Sequence, residues 1–183
     1  MRVWITAVIL FISFEINAQQ KQKINMNDLR LKYKASVENS ALNDSLYEAL
    51  KNFGKPAVIL AYKGGTEALK AKHSSNPYKK LQLLKNSLNT LAAAVAADPD
   101  NIEIRFIRYS IEDNLPAFLG MSEHLAEDKA AIIKNFDNPE NLKMPIGFLE
   151  EIQNYLLQSG RLHPAEAHAL DSAGERLFGM ARR

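Results

Sequence analysis

The stretch from Ala97 to Gly120 decides the fold, and it reads Ala-Asp-Pro-Asp-Asn-Ile-Glu-Ile-Arg-Phe-Ile-Arg-Tyr-Ser-Ile-Glu-Asp-Asn-Leu-Pro-Ala-Phe-Leu-Gly. Pro99 pushes the residue before it out of helical geometry and so ends the preceding helix. Asp100, with Glu103 three residues later, predicts a capped start for a new helix. Pro116 then stops or kinks that helix. The sequence therefore predicts a short helix bounded sharply on both sides.

This helix is apolar on two opposite sides. At 100° per residue, one stripe consists of Ile104, Ile107 and Ile111, and the opposite stripe consists of Ile102, Phe106 and Tyr109. A helix with two apolar sides has neighbours on both of them. We therefore expect it to be the inner helix of the fold.

Outward from this stretch, the chain shows helical periodicity and no alternating strand pattern. It predicts an all-α single domain of about seven to eight short antiparallel helices, either degenerate tetratricopeptide-like or an irregular helical bundle. In the helix predicted after Pro77, leucines and a valine repeat with heptad spacing at Leu81, Leu84, Leu88, Leu91 and Val95. This pattern fits a coiled-coil dimer or, preferably at this length, an intramolecular helix pair with Leu88 in the centre of the core.

The N-terminus has the pattern of an export signal. A short positive start and an apolar run over residues 3–14 precede Ala18, which predicts a signal peptide at 1–18. The run is too short to span a bilayer, so no stable membrane anchor is expected after cleavage, and the mature chain should be periplasmic or secreted. We expect a flexible segment at 19–25, the helical domain at 26–178 and a frayed tail at 179–183.

Composition excludes several functions. The formal net charge of +2 is too small and too mixed to indicate nucleic-acid binding, and the absence of cysteine excludes disulfides and thiol chemistry. Gly64 and Gly65 fall inside a predicted helix without the rest of a phosphate-binding motif, which favours close packing or a kink. No cofactor and no metal site are predicted.

The candidate ligand-binding residues lie on or near the inner helix. Arg105, Arg108 and Glu112 share one side of it, with Tyr109 and His124 as further candidates. Two arginines could clamp a carboxylate or phosphate. The favoured interpretation is a structural ion-pair network in which Glu112 is one of the carboxylates, since Arg108 and Glu112 are one helical turn apart.

Two other charged groups carry weaker signals. His124, Glu127 and Asp128 could supply metal ligands from one helix face, although a solvated face is the favoured interpretation. A basic cluster near one helix–helix turn fits an acidic partner or anionic lipid, although a solubilising rim is the default. It contains Lys70, Lys72, His73, Lys79 and Lys80.

Two resemblances add to these patterns. The junction at residues 94–101, alanines followed by Asp-Pro-Asp-Asn, resembles the boundary between tetratricopeptide repeats, although no second copy occurs at a 34-residue offset. Residues 61–73, 76–77 and 103–120 resemble a family of small exported helical proteins from Bacteroidota without an assigned activity. That resemblance implies an exported bacterial helical protein and supplies no catalytic residues.

The sequence thus favours an exported non-catalytic module that binds a protein or peptide partner. The alternative is a small-ligand (anion) binder or enzyme that uses the face of Arg105 and Arg108. Catalytic residues are not predicted, because no nucleophile–base pair is visible in the sequence.

Overall fold

The computed structural model describes residues 24–51, 53 and 56–182. These residues form eight α-helices and contain no strand, which confirms the predicted all-α class. The helices are α1 (Met26–Ser36), α2 (Ser40–Lys51), α3 (Ala57–His73), α4 (Pro77–Ala97), α5 (Ile102–Asp113), α6 (Leu125–Asn135), α7 (Ile146–Gln158) and α8 (Pro164–Ala181). Two 3-10 turns, Ala117–Leu119 and Pro139–Lys143, lie on either side of α6. No helix in this part of the chain is both long and apolar enough to cross a membrane.

Helix α5 lies between two hydrophobic cores, as its two apolar stripes predict. The first core joins α5 to α1–α4, and the second core joins it to α6–α8. The buried members of the first core include Leu29, Leu46, Leu50, Ile59, Tyr62, Leu91, Val95, Ile104 and Ile107. Those of the second core include Ile102, Tyr109, Ile132, Phe136, Leu149, Ile152, Leu156, Leu170 and Leu177. Each stripe of α5 thus serves a different core.

The α3–α4 pair packs at very short distance because of glycine. A Cβ atom added at Gly64 would lie 2.8 Å from Cγ of Leu91, and one at Gly65 would lie 2.5 Å from the Tyr33 hydroxyl on α1. The Ser87 hydroxyl of α4 donates to the backbone oxygen of Gly64 at 2.7 Å. The two glycines therefore serve close helix packing, which is one of the two interpretations that the sequence favoured.

The buried face of α4 differs from the predicted heptad stripe. Leu88, expected in the centre of the core, is only half-buried, and Leu81 is exposed. The buried residues of α4 are Leu84, Ser87, Leu91, Ala94 and Val95. Small side chains take positions in the seam because the glycines of α3 allow the two backbones to approach closely.

Several predicted helix ends shift. Asn101, not Asp100, caps α5, and the Glu103 side chain takes no part in a capping box. Helix α8 continues to Ala181 through most of the expected frayed tail. The predicted flexible segment ends in ordered structure, because Asn25 caps α1 and Ile24 packs against the first core. The predicted signal peptide at 1–18 and the rest of the predicted flexible segment, 19–23, lie outside the described residues.

Candidate functional site

The two arginines of the candidate site converge on one carboxylate of α6. Arg108 donates from Nε and Nη2 to the two carboxylate oxygens of Asp128, with both distances at 2.7 Å. Arg105 Nη1 donates to Oδ1 of Asp128 at 2.8 Å. Asp128 is 0% exposed and both guanidinium groups are buried. These bonds join α5 to α6 through a buried, charge-assisted network.

Arg105 makes two further hydrogen bonds within the fold. Its Nε donates to the backbone oxygen of Pro99 at 2.8 Å, and its Nη1 also donates to Glu127, whose side chain is 55% exposed. Burial alone lowers the pKa of Arg105, but the hydrogen bonds to Glu127 and Asp128 outweigh it and the pKa is raised. The hydrogen bond from Arg105 holds the pKa of Glu127 below its usual value.

This arrangement supports the structural interpretation of the arginines. Four guanidinium nitrogen atoms, two from each arginine, donate to Asp128 or to the backbone oxygen of Pro99 at 2.7–2.8 Å. An anion could bind the Nε–Nη2 edge of Arg108 only by displacing the buried carboxylate of Asp128. Because an unpaired buried charge costs several kcal/mol, that exchange is unfavourable.

Glu112 is not part of the arginine network, so its predicted pairing with Arg108 is wrong. Its buried carboxylate accepts from the backbone N–H of His124 at 2.8 Å and lies 2.7 Å from Nδ1 of the same residue. Ser122 donates from its hydroxyl to the backbone oxygen of Glu112 at 2.7 Å. Glu112 therefore fixes the loop before α6, and it orients the His124 ring.

Tyr109 lies on a different side of α5 from the arginines. Its ring is fully buried in the second core and packs edge-on against Tyr155, with the ring centroids 6.2 Å apart. Its hydroxyl donates to Ser159 Oγ at 3.3 Å. The structure thus separates the predicted site residues into an arginine–Asp128 group, a Glu112–His124 group and a core tyrosine.

The structure contains a further buried ion pair that the sequence did not predict. Arg30 of α1 donates from Nε and Nη2 to the two oxygens of Glu103, at 2.8 and 2.7 Å. The Tyr62 hydroxyl donates to Oε1 of Glu103 at 2.6 Å. Arg30 is 73 residues from Glu103 along the chain, so no helical spacing rule could have found this pair.

An open groove of about 1050 Å³ lies next to this ion pair. It is bounded by the start of α1, by the α4–α5 turn and by the 3-10 turn Pro139–Lys143. Its polar lining residues are Asn25, Asn27, Arg30, Asp98, Asp100, Asn101, Glu103, Asn138, Glu140, Asn141 and Lys143. Four carboxylates face two cationic side chains there, which gives the groove a net charge of −2.

The two cations of the groove are neutralised within it. Arg30 pairs with Glu103, and Lys143 pairs with Glu140. Asp98 and Asp100 instead accept hydrogen bonds from the neutral side chains of Asn101 and Asn135. The uncompensated negative charge of the groove is therefore at the α4–α5 turn.

The described residues contain no group of three or more His, Cys, Asp and Glu side chains placed to hold a metal ion. Asp128, which the sequence placed on a solvated face, is instead fully buried against the arginines. Comparisons of the chain with protein-family models, with curated proteins and with solved structures find no match.

Proposed function

We propose that this chain is an exported, non-catalytic helical module that binds an extended polypeptide segment in the groove beside Arg30 and Glu103. The observation that carries the proposal is the groove itself, which is open, lined mainly by polar residues and, at about 1050 Å³, of a size near the upper end of ligand sites. The export pattern of residues 1–18 and the resemblance to exported helical proteins of Bacteroidota support a periplasmic or secreted location.

The position of the groove suits a binding role. Segments from the first core, α1 and the α4–α5 turn, form one wall, and a segment next to the second core, Pro139–Lys143, forms the other. Ligand sites occur preferentially at such junctions between packed units. The tetratricopeptide-like junction at 94–101 supports the same role, because repeat-like helical folds bind partners across open surfaces.

The lining chemistry selects the kind of partner. Amide side chains can bond the backbone N–H and C=O groups of an extended chain. Asp98 and Asp100 add negative charge without a cationic partner in the groove. We therefore expect the bound segment to carry at least one lysine or arginine.

Anisotropy titration with two labelled peptide pools, identical except for a central lysine or a central glutamate, tests this preference. The lysine pool should bind more tightly, and the double substitution Asp98→Asn with Asp100→Asn should weaken it several-fold, as expected for partly exposed charge pairs. The matched control is Asp171→Asn with Glu175→Gln, which changes the charge equally in a second, smaller groove along α8. Equal binding of both pools, or equal effects of both double variants, would contradict the proposal.

Native partners can be captured because the chain has no cysteine. A photoreactive crosslinker on a single Lys143→Cys variant would then report only on the groove, and Glu175→Cys provides the control position. We expect a polypeptide from the exporting compartment to be crosslinked at residue 143 and not at residue 175. Capture of the same proteins at both positions would show that the groove is not the binding site.

A further inference from the structure

The first turn of α4 presents an exposed apolar tip. Tyr78 is 86% exposed and Leu81 is 39% exposed. The start of the helix is capped, since Asn76 accepts from the backbone N–H of Lys79 at 3.1 Å. Tyr78 is therefore displayed to the outside by a capped helix start rather than by a loop.

All charged side chains of helix α4 are positive. Its 21 residues include Lys79, Lys80 and Lys85 and contain no aspartate or glutamate. Within the described residues, these three exposed lysines have no carboxylate at ion-pairing distance, whereas Lys70 and Lys72 of the neighbouring α3 pair with Asp44 and Glu38. The corner where α3 meets α4 thus has an uncompensated positive charge.

Folding does not account for this charge. Lys79 and Lys80 lie in the first turn of α4, where the helix dipole disfavours cations. Neither side chain contributes an ion pair within the described residues that would offset this cost. The placement of the two lysines is explained better by an anionic partner outside the chain.

The geometry of the tip distinguishes between kinds of partner. The four consecutive residues 78–81 are all exposed, and at 100° per residue they point around the whole circumference of the helix. A groove in a protein contacts one side of a helix, whereas a lipid headgroup layer that meets the helix end contacts all four residues. Tyrosine favours the headgroup level, and lysines are attracted there by anionic lipids.

We propose that the α3–α4 corner, defined as residues 74–81 with Lys85, docks reversibly on an anionic lipid surface. Tyr78 and Leu81 enter the headgroup region, and the lysines bind the lipid charge. This docking is independent of the peptide groove, which lies at the opposite end of α4 beside Asp98.

Co-sedimentation with phosphatidylglycerol vesicles and with phosphatidylcholine vesicles tests the docking. We expect binding to the anionic vesicles alone, and weaker binding at high salt because the charges are screened. Lys79→Gln with Lys80→Gln should weaken binding by about 25-fold, at about fivefold per lysine. The control Lys32→Gln with Lys134→Gln removes the same charge elsewhere and should change binding by less than about twofold at the same ionic strength.

The apolar part of the tip is tested by Tyr78→Ser, with Phe118→Ser as control because Phe118 is equally exposed, at 86%, in the turn after α5. Tyr78→Ser should weaken vesicle binding, whereas Phe118→Ser should leave it unchanged. The wild type and all variants should be prepared with the same N-terminus. The apolar residues 3–14, where retained, then contribute equally to vesicle binding in every sample.

Three outcomes would overturn the proposal. The first is an absence of binding to the anionic vesicles. The second is an equal loss of binding in both lysine double variants, which would indicate a non-specific charge effect. The third is binding of soluble polyglutamate that depends on Lys79 and Lys80 without any vesicle binding, which would assign the corner to an acidic polypeptide.

Discussion

Asp128 is the residue on which the α5–α6 contact depends, because it neutralises two buried guanidinium groups at once. It has no exposed surface, and it accepts three hydrogen bonds of 2.7–2.8 Å from Arg105 and Arg108. Glu127 is its neighbour on α6 and binds the same arginines from a half-exposed position. The two carboxylates therefore differ in burial while sharing their partners.

Asp128→Asn should destabilise the fold by about 3–5 kcal/mol, because it leaves two buried positive charges with insufficient compensation. Glu127→Gln, the matched control, should cost about 0–1 kcal/mol, since an exposed pair contributes little. Urea unfolding of both variants measures the difference. Similar small losses in both would show that solvent, not Asp128, compensates the arginines.

We expect Tyr62 to make the free energy of unfolding depend on pH in the alkaline range. Burial, with the nearby charge of Glu103, raises its pKa well above the usual 10.0. The unfolded chain therefore loses this proton first, so the contribution of Tyr62 is fully present below pH 10 and declines as the pH rises beyond it. Tyr62→Phe should flatten this decline in urea unfolding, and Tyr78→Phe, at the exposed tip of α4, is the control for loss of a tyrosine hydroxyl.

At neutral pH, Tyr62→Phe should cost about 1.5–3 kcal/mol, the usual range for a hydrogen bond to a charged group. A variant with wild-type stability at neutral pH and an unaltered alkaline decline would show that the bond to Glu103 contributes nothing.

The sequence indicated the residues of the candidate site better than their partners. The spacing of Arg108 and Glu112 predicted a pair within one helix, and the structure pairs Arg108 with Asp128 from α6 instead. Helical spacing rules describe neighbours on the same helix, whereas buried charges take the nearest carboxylate that packing supplies. Arg30, which is 73 residues from Glu103, carried no local signal at all.

At the scale of elements, α4 shows why the bounds of a helix were easier to predict than its buried face. Start and stop residues such as Pro77 and Pro99 set the bounds of α4 locally. The buried face depends on the neighbour, because Gly64 lets α4 approach until Leu91 and Ser87 meet the backbone of α3. A pattern search that weights large side chains selects Leu88 instead.

Gly64→Ala should destabilise the protein by about 1–3 kcal/mol, since the new methyl group would overlap the fully buried Leu91. Gly179→Ala is the control, because a Cβ there meets nothing within 4 Å in helix α8. That substitution should be neutral or stabilise by up to about 1 kcal/mol through helix propensity. Thermal melts should therefore show a lower midpoint for Gly64→Ala and an unchanged or higher midpoint for Gly179→Ala. An unchanged midpoint for Gly64→Ala would contradict the packing role of Gly64.

At the scale of the whole molecule, α5 contributes residues to both cores, so we expect the two cores to unfold as one cooperative unit. Arg30 of α1 also lies 5.3 Å from the centre of the Phe148 ring on α7, which links the cores a second time. A disturbance of either core should therefore reach the other. This follows from the shared helix and not from the size of either core.

Leu91→Ala in the first core and Ile152→Ala in the second should each cost about 2–5 kcal/mol. Hydrogen exchange read by mass spectrometry should then show reduced amide protection throughout α1–α8 in both variants, as expected for a single cooperative unit. If only the mutated half loses protection, the chain consists of two independently stable units.

The buried charges of α5 also have a consequence for inheritance. Glu103, Arg105, Arg108 and Glu112 each depend on a partner from another part of the chain, among them Arg30, Asp128 and His124. A mutation that removes one member alone leaves a buried group without its partner, so selection acts on the set rather than on the residue. In descendants of this chain, Arg105, Arg108 and Asp128 should be retained or replaced together, and an apolar residue at 128 should occur only where both arginines have become uncharged.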